Sequence, residues 1–189
     1  MKVYTFTLQL HHLLMDNYFE LYQLPISFTP LAAQVKSKYF ELSRTYHPDR
    51  FANADNTTQL QALTMASQVN KAYKTLTDPD ATMAYVLQLN GVMEHDEKYT
   101  LPPAFLMEMM DINEAVSECE ADRANEAARH LAQQTLDEQL ETWATAAAAL
   151  ITQYTATPTE EILKKKKDMY FRKKYLLRIK ERMAKFATR

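Results

Sequence analysis

Val35-Lys36-Ser37-Lys38-Tyr39-Phe40-Glu41-Leu42-Ser43-Arg44-Thr45-Tyr46-His47-Pro48-Asp49-Arg50 is the stretch from which the fold can be read. Val35, Tyr39, Leu42 and Tyr46 recur at four, three and four residues, one face of an α-helix. At about 100° per residue, Lys36 and Arg44 point away from that face, and Lys38 is less well placed. The helix stops before Pro48, because the residue preceding a proline is pushed out of the helical region. Pro48 fixes its own φ and lacks an N–H donor, so the chain makes a rigid, exposed corner there. His47 and an ionised Asp49 then present a donor and an acceptor in fixed relation, which suits docking of a charged partner. Catalysis is poorly served, since no nucleophile or third orienting group stands nearby in sequence. A metal site would need further His or carboxylate ligands at helical spacing, and none is evident.

Outward from this corner the chain reads as helices punctuated by prolines. Asn17 to Gln23 is a short helical piece stopped at Leu24-Pro25, and Thr29-Pro30 offers an N-cap followed by proline at the first helical position. After a polar loop, Ala52 to Thr57, comes a helix of about twenty residues. It carries Leu60, Leu63, Ala66, Val69, Ala72 or Tyr73, and Leu76 on one side and halts at Thr77-Asp78-Pro79. A shorter helix with Met83, Leu87 and Leu89 ends at Asn90-Gly91, a good C-cap. Residues 92–101 read as a linker, and Pro102-Pro103 opens helices over about 103–120, 122–154 and 159–187. The expected organisation is an N-terminal extension at 1–15, a four-helix unit at 16–91, the linker, and a three-helix bundle at 102–189. Met15 stands just before the first strong motif, so residues 1–14 read either as an upstream extension of the reading frame or as a short packed tail.

Composition agrees with an all-α fold. The 189 residues include a single glycine, Gly91. No glycine-rich phosphate cradle can be built, which excludes a P-loop or dinucleotide fingerprint. Two-residue hairpins lean on glycine, so a sheet-rich fold is not expected. Hydrophobic residues make up 47% and charged residues 24%, enough apolar material for a packed core and too much for disorder. The lone cysteine, Cys119, allows no internal disulfide and reads as a small buried apolar residue in a reducing compartment. No run of about 18 apolar residues exists to span a membrane, and Met1 to Met15 lacks a small-residue cleavage site.

The net charge of −2 hides two opposed blocks. Residues 94–141 carry 13 acidic and 3 basic side chains, and residues 160–189 carry 12 basic and 4 acidic. The basic block could serve a nucleic acid or a membrane surface. It could equally lie antiparallel to the acidic block and be neutralised there, and this is the expectation, since helices of one small bundle are neighbours.

Tyr46-His47-Pro48-Asp49-Arg50, the Val35–Tyr39–Leu42 face, Lys36, Lys38 and Arg44, Asn70-Lys71-Ala72-Tyr73, Leu76, Asp78-Pro79 and Asn17-Tyr18-Phe19-Glu20-Leu21 together resemble the J-domain of DnaJ-type co-chaperones over residues 16–91. The resemblance implies that His47, Pro48 and Asp49 contact a DnaK-type heat-shock ATPase and stimulate its ATP hydrolysis, with Lys36 and Arg44 on the docking helix face. Two departures stand out. Arg50 replaces the usual lysine and keeps its charge, and Thr82 and Met83 stand where an arginine is often found near Tyr85.

The chain does not continue into a glycine-rich segment or zinc modules. It continues with Phe105-Leu106-Met107-Glu108 on a helix and a final helix with Tyr170-Phe171, which looks like the HscB family, J-type co-chaperones dedicated to iron–sulfur cluster assembly. Helix geometry adds a binding face. Phe105, Met109, Ile112, Val116 and Cys119 fall within roughly 80° of one another as a core stripe. Met107, Met110, Asp111, Glu114 and Glu118 cluster on the far side with Leu106 at the shoulder, an apolar and acidic landing patch or, alternatively, a packing surface. In the HscB family the matching positions bind the IscU-type scaffold. On the last helix Ile162, Met169, Leu176 and Met183 are expected in the core, with Phe171 nearly opposite and joining the patch.

The expected protein is a non-enzymatic adaptor in a bacterial cytoplasm, without cofactor, metal, nucleic-acid or membrane partner. It would bind an HscA/DnaK-type ATPase through His47, Pro48, Asp49, Lys36, Arg44 and Arg50. It would bind an IscU-type scaffold through Leu106, Met107, Met110, Asp111, Glu114, Glu118 and Phe171. A J-protein with another client, a helical nucleic-acid binder using Lys164–Lys174, and a hydrolase using His47 and Asp49 are the alternatives.

Overall fold

The computed structural model describes residues 17–122 and 125–187, and the expected extension at 1–15 lies outside them. Among the described residues there are eight α-helices, one 3-10 turn and no strand, so the chain is all-α. They form two units, one ending at Asn90 and one beginning at Gly91.

In the first unit, α1 (Tyr18–Leu21) is started by Asn17, whose side chain accepts the Glu20 amide. Helix α2 (Ala32–Thr45) begins later than Thr29-Pro30 suggests. Leu31 is its N-cap, and the Thr29 amide is taken by Ser27 Oγ at 3.1 Å. A 3-10 turn (Pro48–Phe51) leads to α3 (Asn56–Thr77), capped by Asp55. Asp78 closes α3 and caps α4 (Pro79–Leu89) by accepting the Asp80 and Ala81 amides. Gly91, just past the Asn90 cap of α4, has φ +69°, the left-handed conformation after a helix end that glycine adopts without penalty.

Val35, Leu42 and Tyr46 of α2 are buried against Met65, Val69, Ala72 and Leu76 of α3. The antiparallel hairpin is fastened by Tyr39, whose ring stacks on Tyr73 at 4.2 Å and whose hydroxyl donates to Asn70 Oδ1 at 3.1 Å. The core track of α3 departs from the expected one. Ala62 and Met65 are buried, whereas Leu60 and Leu63 are 64% and 57% exposed. Val69, Ala72 and Leu76 select the continuous track 62, 65, 69, 72, 76, and Leu60 and Leu63 lie on the neighbouring one.

In the second unit, α5 (Pro103–Glu108) and α6 (Met110–Ala121) are two pieces of the expected helix 103–120. The turn at Met109 keeps the helical track, since the Met109 amide reaches Phe105 O at 3.1 Å and the Asn113 amide reaches Met109 O at 3.1 Å. Helix α7 (Glu126–Ala156) starts at an Asn125 cap and α8 (Glu160–Ala187) follows a short break. Phe105, Met109, Ile112, Val116, Ala132, Leu136, Leu176 and Ile179 form one core cluster, with Trp143, Tyr175 and Met183 packed on it. Cys119 is buried, as expected.

The core stripe of α8 is shifted from the one expected. Leu163, Lys166, Leu176 and Ile179 are buried, while Ile162, Met169 and Met183 are only partly so. A strict seven-residue repeat drifts about 20° per heptad on a straight helix, so Leu176 lies at the centre of the seam while Met183 packs at the edge of the core cluster. Lys166 is wholly buried, with Nζ donating to the Ala147 carbonyl of α7 at 3.3 Å. Burial lowers its pKa from 10.5 to about 8.

Candidate functional site

The corner at the end of α2 is fixed from within. Pro48 occupies the first position of the 3-10 turn, and His47 Nδ1 accepts the Asp49 amide at 3.3 Å. With Nδ1 so engaged, the neutral ring carries its proton on Nε2. Asp49 Oδ2 lies 3.6 Å from His47 Nδ1, and both side chains are exposed. Arg50 bends back so that its guanidinium donates to the Arg44 carbonyl at 3.2 Å, satisfying an end-of-helix acceptor. Arg50 is thus a brace of the corner as well as a surface charge. Lys36 and Arg44 are exposed on α2 as their spacing requires. Lys38 is tied down, to Gln23 Oε1 at 2.8 Å and Glu41 at 3.1 Å.

Beside the corner runs a groove between α2 and α3, lined by Tyr39, Ser43, His47, Pro48, Leu63 and Lys71 among others. This is where the exposed Leu63 track leads. Sequence periodicity placed Leu63 in the core and so missed it.

On α5 and α6 the core stripe is buried as the wheel requires: Phe105, Met109, Ile112, Val116 and Cys119. Leu106, Met107 and Met110 are exposed, Met107 by 70%, and Asp111, Glu114 and Glu118 are exposed beside them. A shallow groove runs along Met110, Asn113, Glu114, Ser117, Glu118 and Ala121. Asn113 is the hinge between this face and α8. Its Nδ2 donates to Tyr175 Oη at 2.8 Å, and its Oδ1 accepts from Arg182 at 3.4 Å.

Phe171 is placed differently from the other six residues of the expected patch. It stacks on Tyr99 with ring centroids 4.5 Å apart and planes 7° from parallel. Tyr175, one turn on, is the α8 aromatic that reaches α5 and α6, packed edge-on to Phe105 at 5.7 Å and bonded to Asn113 at 2.8 Å. Phe171 faces the segment 92–101, whose Tyr99 takes its ring, and Tyr175 faces α5 and α6.

The segment 92–101 is fastened to α8. Glu97 pairs with Lys167, which holds its carboxyl below the usual carboxylate range. Tyr99 Oη donates to Asp168 Oδ1 at 2.9 Å, and burial with that bond raises its phenol to about 12.

Neutralisation of the basic helix by the acidic block is realised at Lys167–Glu97 and at Arg182–Glu120, 3.0 Å. Other cations of α8 pair within the helix or lie over aromatic rings. Lys164, Lys165 and Arg172 pair with Glu160, Glu161 and Asp168 one turn away. Arg172, Lys173, Lys174 and Arg178 lie over the rings of Phe105, Trp143, Tyr170 and Tyr175.

Among the described residues no three His, Cys, Asp or Glu side chains are grouped to hold a metal ion, and no helix is long and apolar enough to cross a membrane.

Residues 18–85 match the family described as the DnaJ domain, and residues 101–184 match the HSCB C-terminal oligomerisation domain. The co-chaperone protein HscB homolog of Vibrio cholerae (El Tor Inaba N16961) is 41% identical over 113 residues, 59% of this chain and 66% of that one. The homolog of Shewanella loihica is 38% identical over 119 residues, 62% of this chain and 69% of its own length. The matched stretch thus spans about two thirds of these curated relatives. Among solved structures, human co-chaperone protein HscB shares the fold, with a TM-score of 0.72 over 93% of this chain and 84% of that one at 24% identity. Chaperone HscB from Vibrio cholerae superposes with a TM-score of 0.65 and 31% identity over 87% of this chain and 98% of its own. With a J-domain, the family's C-terminal domain and a relative matched over nearly its full length, the chain belongs to the HscB co-chaperone family.

Proposed function

We propose that this protein is an adaptor of bacterial cytoplasmic iron–sulfur cluster assembly that joins a heat-shock ATPase to its client. The first unit stimulates ATP hydrolysis by an HscA/DnaK-type ATPase, which it contacts through His47, Pro48 and Asp49 with Lys36, Arg44 and Arg50. The second unit carries an IscU-type scaffold on Leu106, Met107, Met110, Asp111, Glu114 and Glu118, with Phe171, stacked on Tyr99, as a further contact. Tethering the two raises the effective concentration of the scaffold at the ATPase.

The observation that carries this reading is the exposed His47-Pro48-Asp49 corner, braced by Arg50 at the end of a cationic helix. A corner whose own backbone is satisfied can offer its side chains to a partner without rearranging. The apolar face of α5 and α6 supports the second half, because a helix that already buries one full stripe exposes three more large apolar residues next to three acids.

Single-turnover ATP hydrolysis by an HscA-type ATPase tests the proposal. The expected result is stimulation by the chain alone and a further rise when scaffold is added. An unchanged hydrolysis rate at saturating chain would sink the ATPase half. Stimulation that never responds to scaffold would leave a J-protein with another client.

A further inference from the structure

Helix α2 carries a residue that neither its core nor its charged face requires. Val35, Leu42 and Tyr46 are buried and Tyr39 is half-buried, which completes the stripe facing α3. Phe40 is 55% exposed on the other side. It stands one turn after Lys36 and one turn before Arg44, so the three side chains follow one another at roughly 6 Å intervals along the axis. The next step along the same line is the His47 corner. The acids close to this line are Glu41, which is occupied by Lys38 at 3.1 Å, and Asp49 at the corner itself.

The ring is also held from below. Its neighbour Tyr39 lies 5.7 Å away in a tilted contact and is itself fastened to α3 by Tyr73 and Asn70. A phenyl ring projecting from a fixed backbone loses little freedom on binding, and aromatic side chains of this kind dominate the anchor positions of protein interfaces. Apolar area flanked by two cations calls for an acidic surface with an apolar recess between its carboxylates.

We propose that Phe40 is a specificity-determining anchor of the ATPase contact, entering an apolar recess between acidic groups that receive Lys36 and Arg44. The inference rests on the ATPase reading given above and adds a residue that the charge pattern alone does not select. Lys36 and Arg44 steer any acidic partner; Phe40 distinguishes those with the recess from those without it.

The test is a titration of an HscA-type ATPase with the full chain in single-turnover hydrolysis. Phe40→Ala is expected to raise the half-maximal concentration about tenfold, equivalent to about 1.4 kcal/mol, and saturation is expected to recover the rate. Phe40→Leu keeps the apolar contact and is expected to stay within about threefold of the parent. The Phe40→Ala loss is expected to be the same at low and at high salt, whereas the loss caused by Lys36→Glu shrinks as salt screens it. The thermal melt of each variant is expected to match the parent. A half-maximal concentration within about twofold of the parent for Phe40→Ala, with Lys36→Glu and His47→Gln still impaired, overturns the anchor and leaves the ATPase reading intact. If His47→Gln and Lys36→Glu also hydrolyse at the parent rate, the ATPase reading fails and the anchor with it.

Discussion

The two units offer their surfaces by different physical means. In the first, the candidate contact is oriented by a turn: Pro48 sets it, His47 caps it, and Arg50 ties it to the last turn of α2. In the second, it is made by side chains on a helix face, Leu106, Met107 and Met110 beside Asp111, Glu114 and Glu118. A turn concentrates function in one or two residues whose orientation is set covalently. A helix face spreads it over several contacts, none of which is indispensable. A single substitution should therefore abolish function in the first unit, whereas losses in the second should accumulate residue by residue.

The largest effect is expected from His47→Gln. Its imidazole is exposed and packs no core, so the fold should survive with a melt unchanged by more than a few degrees. Stimulation of the ATPase should be lost outright, even at saturating chain. A melt lowered by tens of degrees would show His47 to be structural and remove the contrast between the units.

The helix face should respond to numbers. Leu106→Ala, Met107→Ala and Met110→Ala combined remove apolar area lying off the buried stripe of Phe105, Met109 and Ile112. With the three acting as anchors at about 1 kcal/mol each, the threshold that only a minority of interface side chains exceed, scaffold affinity should fall by about two powers of ten, with each single change costing less than about tenfold. Titration calorimetry against the scaffold reads this directly. Unchanged affinity in a folded triple variant would remove the face from the binding site. Stimulation of the ATPase without scaffold should persist, since none of the three lies in the first unit.

The same contrast governs what the sequence reveals. His47-Pro48-Asp49 is legible because proline chemistry is local. The buried stripe of α5 and α6 is legible because Phe105, Met109, Ile112, Val116 and Cys119 hold one helical track through the turn at Met109. The seam of α8 is not. Its apolar residues fit more than one track, and the one adopted buries Lys166, whose Nζ reaches the Ala147 carbonyl of α7. Four successive lysines, Lys164 to Lys167, look like a solvated face, yet one is wholly buried and another pairs with Glu97. The placement of Phe171 on Tyr99 is equally hidden, because it depends on the segment 92–101 lying along α8. Leu60 and Leu63 tell the same story in α3, where Ala62 and Met65 take the core because they share a track with Val69.

Lys166 gives the units different responses to pH. In the native chain burial pulls the pKa of its ammonium down to about 8, against 10.5 in the unfolded chain. Between these values the unfolded state binds more protons, so stability of the second unit should rise as pH climbs from about 8 towards 10. Below pH 8 the cost of the buried charge is present in full. Lys166→Met keeps the stem and removes the charge, and should stabilise the second unit at pH 7 by an amount on the order of 2 kcal/mol. It should also flatten the alkaline rise. Urea unfolding followed by the fluorescence of Trp143, the chain's single tryptophan, measures both. A Lys166→Met variant less stable than the parent at pH 7 would show that the lysine's hydrogen bonding outweighs its desolvation.

The smallest effect concerns the charge blocks, and it separates pairs across helices from pairs within one. Arg182 reaches from α8 to Glu120 of α6 at 3.0 Å and also touches Asn113, with both partners of the ion pair about two-thirds buried by side chain. Lys164–Glu160 is a one-turn pair on the open surface of α8. Pairs of the second kind contribute about 0.3–0.5 kcal/mol. The first kind joins two helices already held by a core, so less side-chain freedom is lost in making it, and Asn113 fixes the guanidinium further. A double-mutant cycle on Glu120→Gln and Arg182→Gln should therefore give a coupling near the top of the surface range, about 1 kcal/mol, falling as salt is raised. The same cycle on Glu160 and Lys164 should give about half of that or less. Equal couplings would mean that the two blocks interact no more strongly across helices than along one, and that the charge of α8 is balanced by its own glutamates and by the rings beneath Arg172, Lys173, Lys174 and Arg178 instead.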